Sequence, residues 1–328
     1  MFLPALLMAN LAAAHVVWKT PGSITFASAD GADLWLIEAG GGLDAPKASL
    51  VRVSLSGVER VVTFSGHAFS PVADSENVYL VVDKDLVRVE KKPPYPWKRI
   101  AKGEVWPVGV AVDRDFVYLT NQSTKGLAGG PPDGKPGSVS RLKKTGSSLE
   151  RLSSSSARNV VVDEKNVYFG SETSLRAIAK EGGKERVLLE DAGSSPSLAL
   201  DGDWLVTTRS GGASRIHTKS GKVEPLVDDV DIPLFVSAKE GTVYLGANLA
   251  FQGPGKPPVP ARILRLTAGA PPETIWTDEN QNRLAAMVLA AGRLYFALEP
   301  LGGIGGATLL AIPVSATRPA TTKTGSTR

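Results

Sequence analysis

Residues 159–170 read NVVVDEKNVYFG: an apolar run, a charged turn, and a second run that carries Tyr168. Residues 110–119, VAVDRDFVYL, and residues 238–245, AKEGTVYL, repeat the same design. Short runs rich in β-branched and aromatic residues, joined by a turn with Asp, Gly or Asn, are typical of antiparallel strand pairs. The chain therefore repeats one β-hairpin.

The tyrosine of this hairpin marks a position that recurs along the chain. Five of the six tyrosines occupy it, and an aromatic or apolar residue fills it in two further segments: Trp35, Tyr79, Tyr118, Tyr168, Val206, Tyr244 and Tyr295. Successive anchors are 38 to 51 residues apart. This period is that of four-stranded propeller blades, roughly 40–50 residues.

Each repeat continues in the same way after its anchor. A third β-type run follows in all seven, and a fourth follows in the first six. The seventh repeat has no fourth run, but residues 15–20, HVVWKT, resemble the fourth-run segment ETIWTD at 273–278. We therefore predict an all-β chain with one seven-bladed β-propeller over residues 15–316, whose last blade has three strands plus the N-terminal one. Such closure leaves no unpaired sheet edge at the seam.

The anchors and the turn aspartates have structural interpretations. An aromatic on the second strand of a blade buries a large area between neighbouring sheets. Asp113, Asp163 and Asp201 lie in the turn between first and second strands, where Asp satisfies backbone geometry. Neither set indicates an active site.

The segments VAVDRDFVYLTN at 110–121 and VVVDEKNVYFG at 160–170 resemble the repeats of secreted bacterial β-propellers of the NHL, YVTN and TolB-like superfamilies. The Gly-His and Trp-Asp pairing of WD40 blades and the double glycine of kelch blades are absent. This resemblance implies a propeller that acts outside the cytoplasm as a binding scaffold.

The two ends differ from the body. Residues 1–14, MFLPALLMANLAAA, are apolar and uncharged, and Ala12 to Ala14 supply the small residues that precede a cleavage site. We predict a signal peptide cleaved between Ala14 and His15, and hence a periplasmic or secreted protein. No Lys or Arg precedes the apolar run, so a misassigned start or a buried N-terminal segment remains an alternative. Residues 317–328 are predicted to be a disordered polar tail.

Composition excludes several classes of function. The chain has no cysteine, which rules out disulfides, thiolate zinc sites, a cysteine nucleophile and a lipoprotein anchor. The pI is 9.1, but the three basic residues of 317–328 leave 34 basic against 33 acidic side chains elsewhere. A body this close to neutral does not predict nucleic-acid binding. No segment after the first is apolar for long enough to cross a membrane.

Propeller topology predicts where a site would lie. Because neighbouring strands run in opposite directions, the loops after the second strand and those after the fourth emerge on one face. Second-to-third strand loops are expanded at 38–49, 121–138, 248–261 and 299–307. The connections between blades place a mixed polar set at the channel mouth: His67, Trp106, Arg158, Asn159, Asp231 and Asn280. Such a set suits recognition of a polar ligand or peptide.

No catalytic arrangement emerges from the motifs. Only His67 of the three histidines is expected near the mouth, and no nucleophile-elbow, zincin or EF-hand pattern occurs. The leading hypothesis is a monomeric, non-enzymatic binding or scaffold protein without a cofactor, whose partner is a protein or glycan. One alternative is a Ca²⁺-dependent hydrolase of the lactonase or phosphotriesterase kind, with oxygen ligands from Asn159, Asp228, Asp229, Asp231, Asn280 and Asn282. A polysaccharide or streptogramin-type lyase is a third and weaker one.

Overall fold

The computed structural model describes residues 13–41, 45–102, 106–124, 134–146, 148–193, 196–251, 257–302 and 305–314. These residues form 28 strands and no helix. The strands make seven four-stranded antiparallel sheets, and the innermost strands of successive sheets are neighbours around a ring. The predicted seven-bladed propeller is confirmed. Apart from residues 13 and 14, the predicted signal peptide lies outside the described residues, as does the predicted tail.

Each of the first six blades is a continuous segment of chain. Blade 1 contains β2 (Ser23–Asp30), β3 (Asp33–Gly40), β4 (Lys47–Ser54) and β5 (Gly57–Ser65). Blade 2 contains β6 (Ala68–Ala73), β7 (Asn77–Val82), β8 (Asp85–Glu90) and β9 (Trp97–Ala101). Blade 3 contains β10 (Pro107–Val112), β11 (Phe116–Asn121), β12 (Ser138–Lys143) and β13 (Glu150–Ser153).

The second half of the ring repeats this order. Blade 4 contains β14 (Val160–Val162), β15 (Asn166–Ser171), β16 (Ser174–Ala179) and β17 (Arg186–Leu189). Blade 5 contains β18 (Leu198–Asp201), β19 (Trp204–Arg209), β20 (Gly212–His217) and β21 (Val223–Val227). Blade 6 contains β22 (Pro233–Lys239), β23 (Thr242–Ala247), β24 (Arg262–Thr267) and β25 (Glu273–Thr277). Blade 7 contains β26 (Asn282–Ala290), β27 (Arg293–Pro300) and β28 (Ala307–Pro313).

The N-terminal strand closes the ring. Strand β1 (His15–Thr20) pairs antiparallel with β28, from His15 opposite Ala311 to Thr20 opposite Ala307. Its Val17 and Trp18 pack on the cluster between blades 7 and 1. The predicted three-plus-one blade is confirmed.

The core consists of seven clusters, one between each pair of adjacent blades. Every anchor residue of the repeat lies in the cluster that its blade shares with the next one: Trp35, Tyr79, Tyr118, Tyr168, Val206, Tyr244 and Tyr295. All except the half-buried Tyr295 are buried. The anchors therefore pack between sheets, as predicted.

The turn aspartates also have the predicted structural role. One carboxylate oxygen of Asp113 accepts the backbone N–H groups of Asp115 and Phe116, and the other accepts the hydroxyl of Tyr118 at 2.8 Å. Asp74 and Asp163 repeat this pattern with the tyrosines five residues later. In blade 5 the anchor Val206 has no hydroxyl, and Asp201 accepts backbone N–H groups of blade 6 instead.

A lysine of the next blade completes some of these turns. The Nζ of Lys144 lies 2.7 Å from Asp74, and that of Lys180 lies 2.5 Å from Asp113. Both ammonium groups also lie over the ring of the anchor tyrosine, at 5.7 and 5.5 Å. We call these two arrangements the Asp–Tyr–Lys groups. They join blade 2 to 3 and blade 3 to 4 on the face opposite the channel mouth.

One expanded loop of the sequence analysis is shorter in the structure. Residues 38–40 and 47–49, predicted as loop, extend β3 and β4, because Glu38, Ala39 and Gly40 pair with Ser49, Ala48 and Lys47. The segments 121–138 and 248–261 do separate their strands widely, although residues 125–133 and 252–256 lie outside the described residues.

Candidate functional site

We define the mouth face as the face that carries the connections between blades and the second-to-third strand loops. A cavity of about 720 Å³ runs along the channel between the innermost strands of blades 1, 5, 6 and 7. Half-buried apolar side chains dominate its wall, among them Phe26, Leu198, Phe235 and Val288. Lys239 supplies the one charged side chain among the lining residues. The channel therefore offers a largely apolar wall.

Bulges at the mouth end of the innermost strands contribute to this wall. The register between first and second strands shifts at Thr25 in blade 1 and at Leu234 in blade 6. A bulge inserts a residue and redirects its side chain. Both bulged residues line the channel cavity. The sequence could not reveal them, because a bulge depends on the pairing register.

Polar groups near the mouth form hydrogen bonds from one blade to the next. The hydroxyl of Ser70 donates to the carbonyl of Val108 at 2.5 Å, and that of Thr120 donates to the carbonyl of Arg158 at 2.5 Å. Three further bonds continue around the ring: Asn159 Nδ2 to the carbonyl of Pro196 at 2.7 Å, Val236 N–H to Ser197 Oγ at 3.1 Å, and Leu284 N–H to Asn248 Oδ1 at 3.0 Å. These bonds connect five successive blade pairs, from blade 2 to blade 7.

The six residues predicted at the mouth do not share one cavity. Asn159 lines the channel cavity, whereas Asn280 lines a separate cleft of about 500 Å³ between blades 6 and 7. Arg158 is half-buried, and its carbonyl accepts the hydroxyl of Thr120. The other three are exposed and line neither cavity: His67, Trp106 and Asp231. Ligand binding by the six residues stays a prediction.

Replacing Asn159 with alanine tests whether this residue is structural. The variant loses the amide bond to the Pro196 carbonyl, which links blade 4 to blade 5. We expect a loss of about 1 kcal/mol in the free energy of unfolding, the usual value for one hydrogen bond. Urea denaturation of the variant beside the parent measures it. An unchanged unfolding midpoint would contradict a structural role for this side chain.

Four exposed apolar side chains lie on the mouth face in blades 6 and 7. Ile232 and Leu234 lie at the start of blade 6, with 46% and 37% of their surface exposed. Phe251 and Leu301, in the second-to-third strand loops of blades 6 and 7, are 70% and 51% exposed. Trp106 is a fifth such residue, before blade 3. The sequence analysis named Trp106 but missed the other four side chains, because it chose loop residues mainly for their polarity.

The carboxylates and amides suggested as Ca²⁺ ligands are not gathered in the channel. Its cavity is lined by Asn159 but by none of the other five suggested ligands. Asp228 forms an ion pair with Arg209, and Asn282 donates to Asp278 at 3.0 Å in the separate cleft. Within the described ranges, no group of three or more His, Cys, Asp or Glu residues could hold a metal ion.

Comparisons with known proteins support the fold. No family model matches the chain, and no curated protein matches it. Similar solved structures include the Pan2 WD40 domain of Neurospora crassa, with a TM-score of 0.66, 8% identity and coverage of 95% of this chain and 98% of that one. An extracellular domain from B. thetaiotaomicron has a TM-score of 0.62, 10% identity and coverage of 91% and 39%. BamB from Moraxella catarrhalis has a TM-score of 0.54, 10% identity and coverage of 88% and 84%. Identities this low indicate a shared fold only.

The regular structure of the described residues consists of strands. These residues include no helix that is long and apolar enough to cross a membrane.

Proposed function

We propose that this chain is a non-enzymatic, extracytoplasmic binding propeller that holds a protein partner on its mouth face. The observation that carries the proposal is the exposed apolar group of Ile232, Leu234, Phe251 and Leu301 beside an apolar channel. Contiguous exposed apolar surface marks interaction sites, and the exposed Leu234 continues this surface into the channel wall. Three of these four side chains are aliphatic, which favours a protein over a glycan as the partner.

The predicted signal peptide of residues 1–14 supports a location outside the cytoplasm, as does the resemblance of the repeats to secreted propellers. The extracellular domain among the similar structures agrees with this location. The Ca²⁺-dependent alternative receives no support from the channel, whose lining residues include no carboxylate.

Site-specific photo-crosslinking tests the proposal. A photoreactive phenylalanine analogue at Leu301 places the probe on the mouth face, and the same analogue at Leu55 serves as the matched control. Leu55 is 97% exposed and lies in the turn between β4 and β5, on the opposite face. In a cell-envelope extract of the native organism, we expect a discrete crosslinked protein from position 301 and none from position 55. Equal crosslinking at both positions, or none at either, would refute binding at the mouth face.

A further inference from the structure

The connection between blades 5 and 6 holds an apolar side chain in solvent at a conformational cost. Ile232 has φ of 45°, a region that β-branched residues rarely adopt. Hydrogen bonds fix the segment on both sides: Asn248 donates its N–H to the carbonyl of Ile232, and Val230 donates its N–H to the carbonyl of Gly211, both at 2.9 Å. Strained residues persist only where the surrounding structure enforces them, and they cluster at functional positions. The hydrogen bonds of the flanking backbone therefore hold the side chain of Ile232 in solvent.

The apolar surface at this connection continues into the channel. Leu234, two residues after Ile232, lies at the bulge of β22 and lines the channel cavity. Phe235, the next residue, is half-buried and lines the same cavity. An incoming apolar side chain could therefore cover Ile232 and Leu234 together and reach the channel wall.

The same connection carries unbalanced negative charge. Asp229 and Asp231 are exposed, and within the described part of the chain neither has a cation within 4 Å, whereas Asp228 is paired with Arg209. Among the described residues of blade 6, the cation that faces blade 5 near this end is Arg262, which is half-buried. In the cleft between blades 6 and 7, the charged lining residues Lys19, Asp278 and Glu279 add no excess of positive charge. Among the described residues, Asp229 and Asp231 therefore give this connection a net negative charge.

We infer that the partner docks through a segment that is both basic and apolar, with connection 228–234 as its anchor. This inference rests on the proposed function and specifies the chemistry of the partner. A leucine or phenylalanine of the partner covers Ile232 and Leu234, and lysine or arginine side chains lie beside Asp229 and Asp231. Because these carboxylates are exposed, they set the rate and salt dependence of association, while the apolar contact supplies most of the affinity.

Synthetic peptides test this chemistry with the full chain. The first probe alternates pairs of lysines with leucine–phenylalanine pairs. The second replaces every lysine by glutamate, and the third replaces every leucine and phenylalanine by serine. Fluorescence anisotropy at low and high salt reports binding. We expect binding of the first peptide alone, weakened by salt; equal binding of the acidic peptide, or of the serine peptide, would overturn the inference.

Variants of the chain locate the binding surface. Asparagine suits the left-handed backbone at position 232, so we expect the melting temperature of the Ile232→Asn variant to stay the same or rise. Its Kd for the basic apolar peptide should rise about tenfold, as expected for the loss of one anchor contact. The double change Asp229→Asn and Asp231→Asn should raise the Kd at low salt and reduce its salt dependence. Leu55→Ser and Asp203→Asn, on the opposite face, are controls without effect. Full binding by the Ile232→Asn variant would contradict the anchor.

Competition separates this inference from the proposed function. The basic apolar peptide should suppress the crosslinked product formed from position 301. If that product forms but the peptide neither binds nor competes, the inference fails and the proposed function stands. If position 301 yields no product and the peptide does not bind, both fail.

Discussion

A chain that begins at Pro21, and so lacks β1, should not yield a folded monomer. Strand β1 is the fourth strand of blade 7, and its removal exposes the hydrogen-bonding edge of β28. The buried Leu309 loses the cover of Val17 and Trp18. Two such side chains and one strand ladder contribute about 5 kcal/mol, which equals the lower end of the stability range of folded domains, roughly 5–15 kcal/mol. Size-exclusion chromatography and a circular dichroism melt should show aggregated or unfolded protein.

The matched control begins at His15, the residue after the predicted cleavage site. It retains all six residues of β1, so we expect a monomer that melts cooperatively. Two substitutions refine the comparison because β1 bulges at Val17, so that Val17 as well as Trp18 packs on the seam cluster. Val17→Glu places a charge against the seam cluster and should destabilise the protein, whereas Val16→Glu changes a side chain that is 53% exposed. A stable monomer from the chain beginning at Pro21 would show that closure does not hold the ring together.

The fold was predictable because its determinants are local and repeat. The anchor residues, the turn aspartates and the alternation of the strands each lie within about ten residues of one another, and seven copies reinforce a weak pattern. Even the seam could be located, because HVVWKT at 15–20 carries the pattern of a fourth strand. The predicted length of the 38–49 loop was wrong, because the pairing of Gly40 with Lys47 depends on tertiary contacts.

The site was less predictable because its contacts join distant residues. Asn159 was chosen for its polarity and position, yet its amide donates to Pro196 of the next blade. Nothing in the residues around Asn159 specifies where that carbonyl lies. The channel wall was equally hard to predict, because Leu234 reaches it through a bulge in β22. The exposure of Ile232 likewise depends on a backbone hydrogen bond from the distant Asn248. The polarity of loop residues alone therefore could not predict which side chains line the channel or stay exposed beside it.

Replacing Lys180 with methionine should lower the free energy of unfolding by about 2 kcal/mol, as measured by urea denaturation at neutral pH. This loss is smaller than the loss expected when one partner of a fully buried ion pair is removed. Lys180 and Asp113 are 11% and 21% exposed, so the substitution leaves a largely buried carboxylate without its cation. Methionine keeps the apolar stem of the side chain. Lys219 and Asp203 form a similar pair at 2.8 Å, but they are 73% and 52% exposed. Lys219→Met is therefore the control, and its unfolding midpoint should not change.

The acid dependence of stability distinguishes the ion pair from simple packing. Burial alone would raise the pKa of Asp113, but the hydrogen bonds from Lys180, Phe116 N–H, Tyr118 and Asp115 N–H outweigh it and lower the pKa to about 2. Because the folded-state pKa lies below the unfolded value of 3.8, the stabilisation is fully present above about pH 4 and is lost as the pH falls toward 2. The difference in unfolding free energy between the parent and Lys180→Met should therefore shrink across this range. A difference that stays constant from pH 6 to about pH 2 would show that Lys180 stabilises the blade interface through packing and not through its charge.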